Sequence, residues 1–504
     1  MNYQGKKCVV LGLGKSGLAA ARLLARQGAR VSIIDSNRGE ALEEKAVFLR
    51  QEHMNVHLGA AAENDSTHYD LAILSPGIDA RAPLVKNVTQ KGIPLIGELE
   101  LAYSLASHPI VAITGTNGKT TTTEITTIAL QALGLRAIAC GNIGLPFSEA
   151  LLQPDEHDVF VLEVSSFQLE GIKTFRPRVA IWLNLSPNHL DRYATMEEYR
   201  SAKLRIFQNL QEDDCVILPA SFDSRALGIK ATAITFSTQS EHADFFFRDD
   251  CLFYQEEPFL NLKETRLRGL HNVENLMAAC ASGIALTRIF HTDLLRRPGR
   301  LMDGPLESHN EMRGAIHERA ALTYSSPSAH QATKPPHEKP YEVFGFKQAL
   351  SCMVEEIKNY TPPAHRCEWV GEMHGTIWIN DSKSTTLDAL EKAIQSIDPS
   401  RQIILIAGGK NKGSSFKPLL PIIKERVKVA LLIGELKHSI ASEWSTVPCY
   451  EVENLEDAVK QAKELALPGE TILFSPGTSS YDMFTDYQER GVCFKNAVQK
   501  FIMQ

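Results

Sequence analysis

The chain has 504 residues, of which 43% are hydrophobic and 22% are charged, and its formal net charge is −7. This composition is typical of globular protein, excludes a filament or a disordered chain, and at this length predicts about two to four domains. The basic residues form no long stripe, so we expect no nucleic-acid partner. Nine scattered cysteines without a Cys-x-x-Cys pair indicate reduced thiols. We expect a cytoplasmic monomer with neither a signal peptide nor a membrane span.

Short apolar runs alternate with helical patterns along the chain, which predicts parallel α/β structure. The first group contains a helix from about Ser16 and three runs, Cys8–Leu11, Val31–Ile34 and Leu71–Leu74. The second contains a helix from about Lys119 and three runs, Ile110–Thr114, Val159–Leu162 and Val179–Asn184. The third contains Thr376–Ile379, Ile403–Ala407, Val429–Ile433 and Thr471–Phe474. We therefore predict three α/β domains in series, over residues 1–96, 97–363 and 364–504.

The segment from about His291 to Tyr341 breaks this pattern. It holds six of the 24 prolines and five of the 16 histidines, and it shows little periodicity. The histidine spacings match no common set of metal ligands. We therefore predict a solvated loop inserted into the second domain, rather than a metal site.

A glycine-rich loop, Gly12-Leu13-Gly14-Lys15-Ser16-Gly17, follows the first strand, and Asp35 ends the next one. In form this is a dinucleotide fingerprint, in which glycines let the backbone approach a pyrophosphate at a helix N-terminus. A full dinucleotide domain needs two βαβαβ halves, and the chain before the next phosphate loop has room for about one. We therefore favour a uridine diphosphate ligand over NAD, with a purely structural glycine turn as the alternative. A second turn, Ser75-Pro76-Gly77, either closes the same pocket or is an ordinary turn.

A second phosphate loop, Gly115-Thr116-Asn117-Gly118-Lys119-Thr120-Thr121, lies between an apolar strand and a helix. We expect its backbone N–H groups to surround the phosphates of ATP, with Lys119 between the β and γ phosphates and the Thr120 hydroxyl on Mg²⁺. Ile113 stands where the common motif has its first glycine, so the loop is a shortened variant.

Two further strand ends carry candidate metal ligands. Glu163 ends an apolar strand, and its carboxylate is expected to bind the phosphate-bound Mg²⁺. His189 follows another strand end and is a candidate ligand for a second Mg²⁺, although a histidine in such a place is more often structural. Because several strands deliver these groups to one sheet edge, we predict a site for ATP and two Mg²⁺ ions.

Together these motifs resemble the Mur ligases of peptidoglycan synthesis, and within that family the member that adds D-glutamate. The resemblance covers most of the chain and includes Gly141 to Pro146, Leu162 to Gln168 and His271 to Asn275. It implies a Rossmann-like N-terminal domain, a central P-loop ATPase-like domain and a Rossmann-like C-terminal domain. It also implies that ATP activates the carboxylate of UDP-N-acetylmuramoyl-L-alanine as an acyl phosphate, which D-glutamate then attacks.

The resemblance implies roles for individual residues. Lys203, which its residue type and helix alone would mark as solvated, resembles a carbamylated lysine of the family and would join Lys119 and His189 as the catalytic residues. The metal ligands would be Thr120, Glu163, His189 and carbamylated Lys203. The ATP site would comprise Gly115, Thr116, Asn117, Gly118, Lys119, Thr120, Thr121, Asn275, Arg366 and Asp381. The UDP-substrate site would comprise Gly14, Lys15, Ser16, Asp35, Ser36, Ser75, Gly77, Asn142, Ser165, Gln168 and His189. The amino-acid site would comprise Lys383, Thr385, Lys412, Ser480, Tyr481 and Tyr487.

Apart from the insertion, three positions depart from the family pattern: Asn188, Thr386 and Ser415 stand where Asp, Asn and an acidic residue are common. The implied mechanism requires that the third domain close over the other two, and we predict hinges near Ile96 and Pro363. The alternatives left open are a sister Mur or folylpolyglutamate-type ligase, a nucleotide-gated binding protein, and an NAD-dependent dehydrogenase built on the first glycine loop.

Overall fold

The computed structural model describes residues 2–63, 65–79, 81–153, 157–187, 192–267, 269–296, 346–361, 364–410 and 415–502. The chain divides into two compact units. Unit 1 consists of Met1–Leu185, His189–Asn261 and Glu274–Lys358, and unit 2 consists of Ser186–Asn188, Leu262–Val273 and Asn359–Gln504. Two sheets belong to unit 1 and a third belongs to unit 2.

The first sheet is parallel and is built from the first 97 residues. In chain order its elements are β1 (Lys7–Leu11), α1 (Lys15–Arg26), β2 (Arg30–Asp35), α2 (Glu40–Gln51), β3 (Asn55–Leu58), α3 (Ala60–Glu63), β4 (Leu71–Leu74), α4 (Pro83–Gln90) and β5 (Leu95–Gly97). The strand order is β3-β2-β1-β4-β5. Because the order reverses between β1 and β4, the loops that follow these two strands open onto the same crevice, where open α/β sheets bind ligands.

Both faces of this sheet are buried, which explains why its strands read as continuous apolar runs. Successive residues of a strand point to opposite faces. In β1, Cys8 and Val10 therefore pack in one apolar cluster, and Val9 and Leu11 pack in another. Each cluster fixes the register of β1, since a slip by one residue would exchange the two faces.

The second sheet, also in unit 1, has nine strands. Its elements are α5 (Glu98–Tyr103), β6 (Ile110–Thr114), α6 (Lys119–Ala132), β7 (Ala137–Gly141), α7 (Phe147–Ala150), β8 (Val159–Glu163), α8 (Ser166–Glu170), β9 (Val179–Trp182), α9 (Met196–Leu204), β10 (Cys215–Pro219), β11 (Thr232–Ser237), β12 (Phe245–Arg248), β13 (Cys251–Tyr254), β14 (Glu257–Asn261), α10 (Leu270–Arg296) and α11 (Phe346–Lys358). The strand order is β14-β13-β12-β11-β10-β9-β6-β8-β7, and β13 and β14 are antiparallel to their neighbours. The loops after β9, β6 and β8 therefore lie side by side at one edge.

The third sheet forms the body of unit 2. Its elements are β15 (Glu368–Met373), β16 (Thr376–Asn380), α12 (Leu387–Ser396), β17 (Ile403–Gly408), α13 (Leu420–Arg426), β18 (Val427–Ile433), α14 (Lys437–Glu443), β19 (Cys449–Glu451), α15 (Leu455–Leu465), β20 (Thr471–Phe474) and α16 (Tyr487–Ile502). The strand order is β15-β16-β20-β17-β18-β19, with only β15 antiparallel to its neighbour. Apolar clusters cover both faces, with Leu405 of β17 in one and Ile404 in the other.

The predicted fold class, α/β sheets in series, is confirmed. Each predicted strand is present, with ends that differ by a residue or two; the run predicted to reach Asn184, for example, ends as a strand at Trp182. The difference has a physical cause, because Asn184 leaves the sheet to hydrogen-bond the neighbouring loop. The prediction missed β3 and β5 of the first sheet, β7 and β10 to β14 of the second, and β15 and β19 of the third. The predicted hinge at Ile96 lies within β5, where that side chain is buried; Pro363 lies outside the described residues.

Helix α10 bears on two predictions. The predicted insertion lies largely outside the described residues, but its beginning was predicted wrongly, because residues 291–296 continue the helix to Arg296. The stretch Leu270–Phe290 is long and apolar enough to cross a membrane by length and composition alone. Of its most apolar window 78% is buried inside the protein, as in an ordinary core helix. Burial inside the protein therefore accounts for this apolar composition.

Candidate active site

The second phosphate loop joins β6 to α6 and is held by Asn184 from the end of β9. The Asn184 Oδ1 accepts hydrogen bonds from the backbone N–H groups of Thr116 (3.2 Å) and Asn117 (2.9 Å), and its Nδ2 donates to the Asn117 carbonyl (3.2 Å). A short loop that must surround phosphates cannot hold its shape by regular pairing, so a side chain from the neighbouring strand does so. The sequence analysis did not identify Asn184 as part of the site. The sequence feature that could have identified Asn184 is an amide residue just after a strand that neighbours the strand of the loop.

Gly118 closes the loop in the left-handed conformation, with φ +80°. A Cβ at this position would lie 2.3 Å from the Oδ1 of Asn275, which is buried in α10. The Asn275 Oδ1 also accepts a hydrogen bond from the Thr122 hydroxyl at 3.1 Å. Asn275, predicted at the adenine, therefore packs against the loop and the first turn of α6.

Two lysine side chains converge on the carbonyl oxygen of Gly115. Lys119 Nζ donates to it at 3.1 Å and also to the Thr116 carbonyl at 2.8 Å, whereas Lys203 Nζ, from α9, donates to it at 2.8 Å. The loop thus brings together two of the three predicted catalytic side chains. The third, His189, lies outside the described residues.

Lys203 is only 1% exposed, so its interpretation as a solvated helix residue is wrong. Burial, together with the nearby charge of Lys119 and against the opposing effect of Glu163, lowers the pKa of its ammonium to about 6. At pH 7 the Lys203 side chain is therefore mostly a neutral amine, which is the nucleophilic form. Tyr199, one turn earlier, places its ring 4.8 Å from the Lys203 Nζ and its hydroxyl 3.3 Å from that of Thr116. The sequence analysis missed Tyr199, because nothing in its local pattern sets it apart.

Glu163 ends β8 and joins two predicted site residues. Its Oε2 accepts from the Thr120 hydroxyl at 2.7 Å, and its Oε1 accepts from the Asn142 Nδ2 at 2.8 Å. A carboxylate beside a hydroxyl is a hard oxygen donor set, which suits Mg²⁺. Within the part of the chain that the structure describes, no group of three or more His, Cys, Asp or Glu side chains could hold a metal alone. The donors present fit a Mg²⁺ that takes its other ligands from ATP phosphates and water, as Mg²⁺ commonly does.

The first glycine loop is shaped by close packing. Gly12 has φ +96°, and a Cβ on Gly17 would lie 2.0 Å from the Gly12 carbonyl oxygen, so α1 can approach β1 only without side chains there. The Ser75 hydroxyl donates to that same carbonyl at 3.3 Å. Asp35 Oδ2 accepts from the Leu13 N–H at 2.9 Å. Ser75 and Asp35, both predicted in the UDP-substrate site, thus hold the loop in place.

The other residues predicted in that site fall into two groups. A Cβ on Gly14 or Gly77 would meet nothing within 4 Å, so the backbone at both positions faces open space that a phosphate can approach. Of the predicted side chains, Lys15 and Ser36 are exposed and Ser16 is half-buried. Ser165 and Gln168 instead form a capping box at the start of α8, in which each side chain accepts a backbone N–H of the other residue.

In unit 2, the predicted ATP ligand Arg366 lies between two residues in the left-handed region, His365 (φ +68°) and Cys367 (φ +42°). Each such residue costs about 1–3 kcal/mol, and strain of this kind concentrates at functional sites. Asp381, also predicted for ATP, is buried and accepts from the Ser475 hydroxyl (2.8 Å) and the Cys367 N–H (3.1 Å). Burial raises the pKa of the Asp381 carboxyl to about 6 against these hydrogen bonds.

Of the residues predicted for the amino acid, Lys383 and Thr385 follow β16, Ser480 and Tyr481 follow β20, and Tyr487 begins α16. Lys383 Nζ lies 5.4 Å from the centre of the Tyr487 ring, Ser480 is buried, and Tyr481 is 70% exposed. Thr385, which follows Lys383 closely in the sequence, is half-buried. Lys412 lies outside the described residues. The sequence analysis missed the side chain that ties these loops together, which is the buried guanidinium of Arg490.

The chain is similar to known proteins over its whole length. Three family models match the chain: the Mur ligase MurD-like N-terminal domain at residues 6–97, the Mur ligase middle domain at 113–283 and the Mur ligase glutamate ligase domain at 365–477. The UDP-N-acetylmuramoylalanine--D-glutamate ligase of Koribacter versatilis is 34% identical over all of this chain and 99% of its own length. The protein of that name from Geobacter metallireducens is 36% identical over 99% of this chain and 98% of its own.

Solved structures share the fold at lower identity. A pseudomurein peptide ligase type C from Methanothermus fervidus is 17% identical with a TM-score of 0.55, over 99% of this chain and 100% of its own. A MurF ligase from Thermotoga maritima, solved in complex with ADP, is 14% identical with a TM-score of 0.51, over 99% and 96% of the two chains. The fold and the full-length relatives above 30% identity indicate the same family. The chain belongs to the Mur ligase family, and within it to the UDP-N-acetylmuramoylalanine--D-glutamate ligases.

Proposed function

We propose that this chain forms an amide bond between the L-alanine carboxylate of UDP-N-acetylmuramoyl-L-alanine and the amine of D-glutamate, with ATP as the energy source, in peptidoglycan precursor synthesis. The observation that carries the proposal is the set of groups around the second phosphate loop. There Lys119 and Lys203 meet at the Gly115 carbonyl, and Glu163 meets the Thr120 hydroxyl. The names of the full-length relatives support the choice of substrates.

The reaction has two steps. In the first, an oxygen of the alanine carboxylate attacks the γ-phosphorus of ATP, the bond to the bridging oxygen breaks, and ADP leaves, which gives an acyl phosphate. In the second, the amine of D-glutamate attacks the acyl carbon, loses a proton, and expels inorganic phosphate as the amide forms. The charge of Lys119 stabilises the negative charge that spreads over the transferring phosphoryl group. We propose Gly115 to Thr121, Asn275, Arg366 and Asp381 as the ATP site.

Mg²⁺, which we propose binds as two ions, would be held by Thr120, Glu163, His189 and a carbamylated Lys203, and would supply positive charge to the phosphate oxygens. The buried, largely neutral amine of Lys203 supports carbamylation. In that step the amine nitrogen bonds to the carbon of CO₂ and releases a proton, which leaves a carbamate anion. The group then offers oxygen atoms, which Mg²⁺ prefers to nitrogen.

The same proposal assigns the other substrates. UDP-N-acetylmuramoyl-L-alanine would bind at the first glycine loop, where the open backbone at Gly14 and Gly77 supports an approaching diphosphate. Further contacts would come from Lys15, Ser16, Asp35, Ser36, Ser75, Asn142, Ser165, Gln168 and His189. D-Glutamate would bind in unit 2, at Lys383, Thr385, Lys412, Ser480, Tyr481 and Tyr487.

We also propose three functional domains over residues 1–96, 97–363 and 364–504. Three separate sheets and three separate family models support this division. Closure of the third domain would exclude water, which would otherwise hydrolyse the acyl phosphate. Small-angle scattering curves that superimpose with and without ATP and the UDP substrate would contradict the closure. We propose that the protein acts as a monomer in the cytoplasm. Its molar mass, measured by light scattering after size-exclusion chromatography, tests the oligomeric state.

The activity test is phosphate release from ATP and Mg²⁺ with UDP-N-acetylmuramoyl-L-alanine, with D-glutamate, L-glutamate, L-alanine or meso-diaminopimelate added in turn. We expect release with D-glutamate alone. Lys119→Met should abolish it, whereas Lys230→Ala, which alters an exposed lysine, should leave it unchanged. Release with another amino acid would indicate a sister ligase. ATP binding without release under any condition would indicate a nucleotide-gated binding protein.

A further inference from the structure

Arg490 is a fully buried cation that connects two loops of the third sheet. It lies in α16 and is 1% exposed. Its Nε donates to the Ser382 hydroxyl at 3.1 Å, and its Nη2 donates to the carbonyl oxygens of Ser382 (2.8 Å) and Thr478 (3.1 Å). Ser382 lies in the loop after β16, and Thr478 lies in the loop after β20. Because β16 and β20 are parallel neighbours, both loops leave the sheet at its carboxyl edge.

These contacts leave one nitrogen of the guanidinium without a hydrogen-bond acceptor. In the described part of the chain, Arg490 makes no ion pair, and its Nη1 is buried without a hydrogen-bond partner. Burial lowers the pKa of the guanidinium to about 10, against the attraction of Asp482 and Asp381. The group therefore remains charged at neutral pH. A buried cation without a paired anion is costly, and an apolar side chain of similar volume would usually be more stable.

The unused donor lies at the edge where a ligand of an α/β sheet is expected. A Cβ built on Gly409 would lie 3.3 Å from Nη1 and 2.6 Å from the Ser479 carbonyl oxygen. Gly409 follows β17, the strand on the other side of β20. Nη1 thus lies where the loops after three adjacent strands meet. Two of these loops continue directly into Lys383 and Ser480.

We propose that Arg490 is a positioning residue for the amino-acid substrate: it fixes the loops after β16 and β20 relative to each other and supplies a buried positive charge for a substrate with two carboxylates. This inference rests on the proposed function, since it deepens the proposed amino-acid site. A cation beneath these loops attracts carboxylates from solution. It also favours the neutral form of the substrate amine, which is the form that attacks the acyl phosphate.

The test compares wild-type protein with Arg490→Met and Arg490→Lys, by varying D-glutamate, ATP and UDP-N-acetylmuramoyl-L-alanine separately in the phosphate-release assay. Arg490→Met should raise the KM for D-glutamate by about tenfold to a hundredfold, the usual effect of losing a charged hydrogen-bond donor. The other two KM values should stay within about threefold. Arg490→Lys keeps the charge without the planar fork, so its KM for D-glutamate should lie between those of wild type and Arg490→Met.

Arg426→Met is the matched control. Arg426 lies in the same unit and also donates to two backbone carbonyl groups, those of Ile397 and Asp398, but it directly precedes β18 at the amino edge of the sheet. All three of its KM values should match wild type. Partial unfolding does not obscure the result, because KM does not depend on the concentration of active enzyme.

Equal changes in all three KM values, or none, would overturn the role of Arg490 and leave a structural one. Failure of the proposed function can be told apart from failure of this inference, because the wild-type protein would then not release phosphate with D-glutamate. If wild type releases phosphate only with another amino acid, the KM comparison is made with that amino acid, and a selective change at Arg490 still supports the positioning role.

Discussion

Replacing Gly118 with alanine should damage the ATP site by a defined steric route. At φ +80° an alanine costs about 1–2 kcal/mol relative to glycine. Its Cβ would also lie 2.3 Å from the Asn275 Oδ1, and real contacts essentially never fall below 3.0 Å, so one of the two must move by about 0.7 Å. Because Asn275 is buried in α10, the movement should break its hydrogen bond with Thr122, which contributes about 1 kcal/mol.

The expected total is a loss of about 2–3 kcal/mol in the free energy of unfolding. The KM for ATP should rise about tenfold or more, because displacements of this size at a phosphate site are expensive for the reaction. Urea denaturation and initial-rate kinetics measure the two quantities.

Gly134→Ala is the matched control for this change. Gly134 follows the other end of α6, has φ +85°, and a Cβ there would meet nothing within 4 Å. Gly134→Ala therefore has the backbone strain of Gly118→Ala without its steric clash. Its free energy of unfolding should fall by about 1–2 kcal/mol, and its KM for ATP should not change. If the two variants have the same KM for ATP, the argument that Asn275 and Gly118 shape the site together is refuted.

Three further predictions concern polar side chains that hold parts of unit 1 together. Asn184→Ala should raise the KM for ATP about tenfold, because the N–H groups of Thr116 and Asn117 lose the side-chain oxygen that orients the loop; initial rates decide, and a KM equal to that of wild type would contradict the role. Asp214→Ala should cost about 3–5 kcal/mol in urea denaturation without changing any KM, because the buried carboxylate pairs with Arg176 and Arg178 at the amino edge of the sheet. Lys203→Met should abolish phosphate release yet stabilise the metal-free chain in CO₂-free buffer. In wild type the pKa of Lys203 is about 6 in the folded state, below the ordinary 10.5. The cost of burying this lysine in the folded state is therefore complete below pH 6, and it falls by about 1.4 kcal/mol per pH unit between pH 6 and 10.5. A stability difference between Lys203→Met and wild type that stays constant from pH 7 to 9 would refute it.

Much of the fold and the outline of the site follow from local sequence pattern. The central strands of the three sheets, such as β1, β6 and β17, are buried on both sides, so they read as unbroken apolar runs. The phosphate loop at Gly115 to Thr120 is equally local, since its glycines, its lysine and its flanking strand and helix are contiguous in the chain. Strands β12 to β14 were missed because aromatic residues and hairpin turns replace that pattern there.

Other parts of the site depend on contacts between residues far apart in the chain. Lys203 and Gly115 are 88 positions apart, and only the packing of α9 against the loop buries that lysine and lowers its pKa. Arg490 lies 108 positions from Ser382, and Asn184 lies 67 from Asn117. The sequence by itself determined the α/β class, because it rests on periodicity, and it was enough to predict the two glycine loops and Lys119, because these are contiguous motifs. Only the tertiary structure decided which polar side chains are buried and what they hold, because burial and hydrogen bonding depend on distances that chain order does not contain.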